Sequence, residues 1–213
     1  MRKFIPFVLS TAFLVYSCSE SQKNNTTTES EQLASASTVS KSEQSLQELN
    51  GFKTQLELGE FLVATGGCDD CHSPKKMTEL GPVVDSTLRL SGHPAKMPAP
   101  QFTGIKEAVA KGYAITQTLT SWVGPWGTSY AANLTPDKTG IGNWSEEQFM
   151  KAIRQGKYRG MDGTRPIMPP MPWEVIAKMR DFELKAIFAY LKSIKPISNV
   201  VPGYEPPTTM AKK

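Results

Sequence analysis

Cys68-Asp69-Asp70-Cys71-His72 is the stretch that decides the fold class of this chain of 213 residues. It holds two of the three cysteines and one of the two histidines. Hydrophobic residues make up only 39% of the chain, and part of them lie in the first seventeen residues. We therefore expect a bound prosthetic group to complete the core of the folded body.

Three interpretations of this Cys-x-x-Cys-His motif compete. A dithiol redox site would accompany a thioredoxin-like βαβ pattern, and no such strand pattern is visible. A zinc site would use Cys68, Cys71, His72 and His93, but adjacent Cys71 and His72 are poorly placed on one tetrahedral ion. The third interpretation is one covalent haem c, with a thioether at each cysteine and His72 under the iron. We favour haem attachment.

Residues 1–17 predict a signal peptide, because two basic residues precede the apolar run Phe4–Tyr16, which is too short to cross a bilayer. The end of this segment, Val15-Tyr16-Ser17-Cys18, resembles the lipobox of bacterial lipoproteins. The resemblance implies cleavage before Cys18, lipidation of Cys18, and a location at the cell envelope facing the periplasm. Several acyl chains would anchor the protein firmly. The alternative is a plain signal peptide.

Composition divides the rest of the chain into three parts. Residues 18–50 contain two lysines against five glutamates and no aromatic residue, which predicts a disordered tether. The body is expected at residues 51–207, followed by a tail at 208–213. Residues 51–213 carry twenty basic against fifteen acidic residues. No basic block is interleaved with aromatic residues, so nucleic acid is not expected as a partner.

Helical signals dominate the body. We predict helices over Thr54–Thr65, over Ser145–Gln155 behind a capping box, and over Asp181–Ser193 with one buried face. Gly81–Asp137 lacks sustained periodicity and is predicted to be mostly ordered loop around a large ligand. The expected fold class is all-α, with long ordered loops wrapped around one covalent haem.

Further motifs accompany the haem motif along residues 59–202. They are Gly59-Glu60-Phe61-Leu62-Val63-Ala64-Thr65-Gly66-Gly67-Cys68, Asn133-Leu134-Thr135-Pro136-Asp137, Thr139-Gly140-Ile141-Gly142, Trp144-Ser145-Glu146-Glu147-Gln148-Phe149, Met168-Pro169-Pro170-Met171-Pro172-Trp173 and Ala186-Ile187-Phe188-Ala189-Tyr190-Leu191. Together they resemble the haem modules in cytochrome c subunits of bacterial alcohol and gluconate dehydrogenases. Those subunits usually carry three modules, whereas this chain has one Cys-x-x-Cys-His. The resemblance implies a class I cytochrome c-like fold.

The same resemblance implies roles for residues outside the motif. It places the sixth iron ligand at Met171, with Met168 as the alternative, and a thioether ligand favours ferrous iron. It also implies that the Pro82 carbonyl accepts a hydrogen bond from Nδ1 of His72. The alternative for Gly81-Pro82 is an ordinary turn.

Polar and aromatic side chains complete the expected haem surroundings. Asn133 and Thr135 are predicted at the haem edge, where an amide and a hydroxyl can satisfy a propionate; the alternative is an Asx-type turn. His93 is expected to be solvent-exposed in a surface turn. The aromatic side chains that could pack on the porphyrin, or simply form core, are Trp122, Trp126, Tyr130 and Trp144.

The expected function is electron transfer by a monohaem c-type cytochrome, with a dehydrogenase or quinol-oxidising donor and an oxidase acceptor. The alternatives are a haem subunit of an alcohol or sugar dehydrogenase complex, a haem enzyme, and a structural zinc module. A cluster of basic residues could steer an acidic redox partner or form an ordinary solvated face. Its members are Lys151, Arg154, Lys157, Arg159 and Arg165.

Overall fold

The computed structural model describes residues 51–207. The predicted signal peptide, the tether, Cys18 and the tail at 208–213 lie outside the described residues. Within residues 51–207, no helix combines the length and the apolar character that crossing a membrane requires.

The described residues form six α-helices and four short strands. The helices are α1 (Gln55–Thr65), α2 (Cys68–His72), α3 (Ile105–Ala110), α4 (Glu146–Gln155), α5 (Trp173–Ile176) and α6 (Asp181–Ser193). The strands are β1 (Lys75–Thr78), β2 (Gly81–Val84), β3 (Ser121–Gly124) and β4 (Gly127–Tyr130). Single 3-10 turns lie at Ser86–Leu88 and Tyr158–Gly160.

The three predicted helices are present with their predicted ends. Thr54 caps α1, where its side chain accepts a hydrogen bond from the Glu57 N–H. Ser145 caps α4 in the same way, accepting from the Gln148 N–H at 3.1 Å. Gly156 ends α4 with a φ of 60°, a left-handed conformation that favours glycine. These boundaries follow from local capping chemistry, which the sequence displays directly.

Helices α1 and α6 cross at Gly59. A Cβ at this position would lie 2.1 Å from the Ala186 carbonyl oxygen and 2.7 Å from Cβ of Tyr190. The two backbones therefore approach so closely that only glycine fits. Around this crossing the buried face of α6 meets α1 and α4 in the hydrophobic core, whose members include Val63, Phe149, Ile153, Leu184, Ile187, Phe188 and Leu191.

The all-α prediction is wrong in its detail, because two small antiparallel sheets lie among the helices. Strand β1 pairs with β2, and β3 pairs with β4. Strands β2, β3 and β4 and helix α3 lie within Gly81–Asp137, which was predicted as mostly loop. Gly127 has a φ of 101° at the β3–β4 turn, a conformation that a residue with a side chain rarely adopts. The coarse description is a helix-rich body with two hairpins.

Candidate functional site

Helix α2 carries all three residues of the Cys-x-x-Cys-His motif. Gly67 precedes it with a φ of 68°, which turns the chain sharply between α1 and α2. Cys68 and Cys71 are three residues apart, so they share one face of the helix. Both thiols are free and partly exposed. The motif is therefore arranged with two sulfurs on one side and His72 in the last turn.

The titration of the two thiols argues against a dithiol redox site. Burial raises the pKa of Cys68 to about 11, and it also raises the pKa of Cys71. Reactive dithiols instead have a lowered pKa, because the thiolate is the nucleophile. Neither cysteine therefore has the lowered pKa of a reactive dithiol.

The ring of His72 is oriented by a backbone carbonyl. Nδ1 lies 2.8 Å from the carbonyl oxygen of Ala132. Since a carbonyl can only accept, Nδ1 carries the hydrogen and Nε2 keeps its lone pair. Burial lowers the pKa of His72, which favours the neutral ring that a metal requires. Histidines that bind a metal typically donate their other ring N–H to a carbonyl in this way.

The prediction that the Pro82 carbonyl orients His72 is wrong, because Ala132 occupies that role. Pro82 lies exposed on β2, opposite Met77 of β1. His72 is buried, at 8% exposure. The Gly81-Pro82 pair therefore belongs to a hairpin, which is close to the ordinary turn considered as its alternative.

His93 is buried rather than exposed, so that prediction is also wrong. Its side chain is fully buried; Nδ1 lies 2.9 Å from Thr120 Oγ1 and Nε2 lies 2.8 Å from the Met97 carbonyl. Its ring centroid is 5.0 Å from that of Tyr130. With both nitrogens hydrogen-bonded, His93 serves as a packed core residue. In residues 51–207, no group of three or more His, Cys, Asp or Glu side chains is placed to hold a metal ion.

Asn133 and Thr135 form an internal turn, and binding of a propionate by these two residues stays a prediction. The Asn133 side-chain oxygen accepts from the N–H of Thr135 at 2.9 Å and from its hydroxyl at 2.7 Å. The Asn133 amide donates to the Ile197 carbonyl at 2.8 Å. Both side chains are buried with their polar atoms bonded inside the protein. This geometry is that of an Asx-type turn.

The loop that carries Met168 and Met171 is held by hydrogen bonds on either side of Met168, at Ile167 and at Pro169. The Ile167 N–H donates to the Gly156 carbonyl at 2.7 Å, at the end of α4. The Ser129 hydroxyl donates to the Pro169 carbonyl at 2.6 Å and accepts from Trp126 Nε1 at 3.1 Å. Hairpin β3–β4 thereby supports the methionine loop. Both methionines are partly buried, and the choice of Met171 over Met168 stays a prediction.

The aromatic residues divide between core and loop support. Trp122 is 8% exposed, and Trp144 packs against the hydrophobic core. Trp126 binds Ser129, and the Tyr130 hydroxyl donates to Glu205 at 2.7 Å. Packing of these rings on a porphyrin stays a prediction.

The basic cluster is partly neutralised by acidic residues. Asp162 accepts from both Lys151 and Lys157 at 2.5 Å, and these two lysines lower the pKa of Asp162 to about 2. Arg154 pairs with Asp181 at 2.5 Å. Only part of the predicted positive charge on this face is therefore free to act on a partner.

Several supporting residues were missed by sequence reasoning. The Lys75 ammonium donates to the carbonyls of Asp69, Asp70 and Ser73 at 3.0, 2.7 and 2.6 Å, which caps the C-terminal end of α2. Arg89 pairs with Asp69 inside the motif. A lysine three residues beyond the motif was a usable signal, whereas Ala132 acts through its backbone and leaves no mark in the sequence.

The described residues fit haem c. Two thiols share one helical face, and a neutral imidazole next to them keeps its Nε2 lone pair. Cys68 and Cys71 would hold the haem covalently, and His72 would be the proximal ligand.

Comparison with known proteins supports this fit. No family model matches the chain. It is 37% identical over 101 residues to the fructose dehydrogenase cytochrome subunit of Gluconobacter japonicus, covering 46% of this chain and 19% of that protein. It is 30% identical over 142 residues to the gluconate 2-dehydrogenase cytochrome c subunit of Pantoea cypripedii, covering 66% of this chain and 23% of that protein. The cytochrome c subunit of the Gluconobacter oxydans alcohol dehydrogenase (quinone) is 37% identical over 90 residues, covering 40% of this chain and 18% of that protein.

The site and these matches define the class of protein, a relative of the c-type cytochromes. More particularly, the chain is homologous to the cytochrome c subunits of bacterial fructose, gluconate and alcohol dehydrogenases. It spans about a fifth of the length of these relatives.

Proposed function

We propose that the chain carries electrons on one covalent haem c as a partner of a dehydrogenase. The single observation that carries this proposal is the α2 site, where two thiols share a face and the Ala132 carbonyl fixes the His72 ring at 2.8 Å. The homology to cytochrome subunits of dehydrogenases supports the same function. When bound, the haem supplies one-electron redox chemistry, and the protein supplies its attachment, axial ligands and burial.

On the far side of the haem we propose Met171 as the sixth ligand. The bonds from Ser129 and Gly156 to its loop hold the backbone in place, so less entropy is lost when a methionine sulfur is held at the iron. A closed, six-coordinate site suits electron transfer better than catalysis, which needs an open axial position.

A reduced-minus-oxidised spectrum of the purified protein tests this function. Expression in a host that attaches haem c should give sharp c-type bands and, in the oxidised form, a far-red methionine–iron band. The Cys68→Ser/Cys71→Ser double variant is the control and should lose the haem under denaturing conditions. Five-coordinate high-spin iron would support the haem enzyme instead, and protein without haem would overturn both.

The Met171→His and Met168→Leu variants separate the two candidate sixth ligands. Replacement of the true ligand should abolish the far-red band, whereas replacement of the other methionine should leave it in place. Loss of the band only in Met168→Leu would reverse the assignment.

We also propose that the protein is tethered to the membrane through a lipid on Cys18 and faces the periplasm, where a dehydrogenase or quinol-oxidising donor and an oxidase acceptor would meet it. The support is the lipobox-like end of the predicted signal peptide. The Cys18→Ser variant should move the haem protein from the membrane fraction to the soluble fraction. An unchanged membrane fraction would contradict the anchor.

Docking of an acidic partner on the basic cluster is the remaining part of the proposal. Arg159 and Arg165 are absent from the ion pairs found among residues 51–207, so their charge supports steering more than that of Lys151 or Lys157. The rate of reduction by the partner should fall as ionic strength rises. Rates that do not change with salt would overturn the docking face.

A further inference from the structure

Asp69, between the two cysteines of the motif, is the centre of a hydrogen-bond network. Its carboxylate accepts from Arg89 Nε at 3.1 Å and from Arg89 Nη2 at 2.7 Å. It also accepts from the Ser73 hydroxyl at 2.6 Å. One of the two residues between the cysteines is thereby bonded to the segment that follows hairpin β1–β2.

Arg89 connects this carboxylate to the core helix α6. Its Nη1 donates to the Tyr190 hydroxyl at 2.7 Å, and Tyr190 is 8% exposed in α6. A guanidinium presents several donors in a rigid plane, so one side chain can bind both partners at once. We call the connected residues Asp69, Arg89 and Tyr190 the α2 clamp.

The segment that carries Arg89 is itself held in place. The Leu90 N–H donates to the Ser73 hydroxyl at 2.8 Å, and the side chains of Ser73 and Leu90 are fully buried. The ion pair between Arg89 and Asp69 is also partly buried, with side-chain exposures of 32% and 21%. Such a charge-assisted pair is stronger than an exposed one.

We propose that Arg89 is a positioning residue for covalent haem attachment, a role that rests on the proposed function. In each attachment step a thiol adds across a vinyl double bond. A C–S and a C–H bond form while the S–H bond and the vinyl π bond are lost, so no external oxidant is consumed. Both additions succeed only if the distance between the two sulfurs matches the fixed separation of two vinyl groups. The α2 clamp holds the backbone of the first turn of α2, which carries Cys68, in place.

The two cysteines depend unequally on the α2 clamp. Cys71 is adjacent to His72, which the Ala132 carbonyl fixes independently of Arg89. Cys68 is adjacent to Asp69, whose side chain bonds to Arg89 and Ser73. Loss of Arg89 should therefore leave Cys68 unattached more often than Cys71.

Arg89→Gln, expressed in a host that attaches haem c, tests this role. Alkylation of free thiols followed by peptide mass analysis measures the free fraction of each cysteine in haem-containing protein. We expect a several-fold larger free fraction at Cys68 and little change at Cys71. Tyr190→Phe is a milder change, for use if Arg89→Gln fails to fold. It should also raise the free fraction of Cys68. Arg89→Lys, which keeps the charge, should recover part of the attachment.

Arg154→Gln is the matched control. The Arg154 side chain is 31% exposed, close to the 32% of Arg89, and pairs with Asp181 of α6, but it makes none of the α2 clamp bonds. The Arg154→Gln variant should be less stable than wild type without a larger free fraction of Cys68. Wild-type attachment at Cys68 in Arg89→Gln, or equal loss in Arg154→Gln, would overturn the positioning role. Wild-type protein without haem would instead overturn the proposed function, so the two failures are distinguishable.

Discussion

His72 and His93 show how neighbours assign different roles to one residue type. Each binds a backbone carbonyl through one ring nitrogen. The second nitrogen of His93 is bonded to Thr120, whereas the lone pair of His72 Nε2 is suited to a metal. The sequence pointed to His72 through its place after Cys71, but Ser91-Gly92-His93-Pro94 suggested only a turn.

We expect His93 to make stability depend on pH in the haem-loaded protein, where His72 would be bound to iron. Burial lowers the pKa of His93, so the unfolded chain binds a proton below its ordinary pKa of about 6.5 while the folded protein does not. The stabilising contribution is present above this pH and is lost as the pH falls. Guanidinium unfolding from pH 8 to pH 5 measures it. A His93→Gln variant should show a flatter profile, and identical profiles would contradict the prediction.

Ser121 is the one buried side chain in residues 51–207 whose polar atom has no hydrogen-bond partner. Burial of an unpaired hydroxyl costs roughly 1–3 kcal/mol, so Ser121→Ala should raise the free energy of unfolding by about 1 kcal/mol. Ser73→Ala is the matched control, because Ser73 is equally buried but bonds to Asp69 and Leu90. The Ser73→Ala variant should have a lower free energy of unfolding than wild type. A loss of stability in Ser121→Ala would show that the hydroxyl has a partner.

At the scale of elements, the three longest helices were predictable, whereas the short helices and the strands were not. Ser145 and Gly156 mark the ends of α4 by capping rules that act within a few residues. Each strand is only four residues long, too short for a period of two to emerge. The β3–β4 hairpin also depends on a distant segment, because Thr128 exchanges two backbone hydrogen bonds with Glu205.

Hairpin β3–β4 should control the methionine loop through Ser129. Ser129→Ala removes the donor to the Pro169 carbonyl and the acceptor of Trp126, which should cost about 1–3 kcal/mol of unfolding free energy. In haem-loaded protein the far-red methionine–iron band should weaken or be lost at a lower temperature. Tyr130→Phe, on the next residue of β4, is the control and should retain the band. Equal behaviour of the two variants would contradict this role of Ser129.

At the scale of the whole molecule, the segment after α6 joins distant parts of the body. Asn199 donates to the carbonyls of Ser91 and His93 at 2.8 Å and accepts from the Ala95 N–H at 3.0 Å. Asn133 and Thr135 bond to Ile197 in the same segment. The C-terminal segment thus connects the turn around His93 with the Asn133 turn.

Asn199→Ala should destabilise the body by about 2–3 kcal/mol, because two buried carbonyls and one N–H lose their partner. Thermal unfolding followed by circular dichroism measures the change. Asn143→Ala, at an exposed asparagine, is the control and should stay within about 0.5 kcal/mol of wild type. A similarly small effect for Asn199→Ala would show that solvent replaces these bonds.

The sequence by itself determined the attachment motif and the ends of α1, α4 and α6, because these depend on side chains within a few residues of one another. Only the tertiary structure decided which carbonyl orients His72, that His93 is buried, and that Asn133 and Thr135 satisfy each other. Ala132 lies sixty residues from His72 in the chain and acts through its backbone, which is the same in every residue type. A contact of that kind exists only once the intervening hairpins and loops have folded.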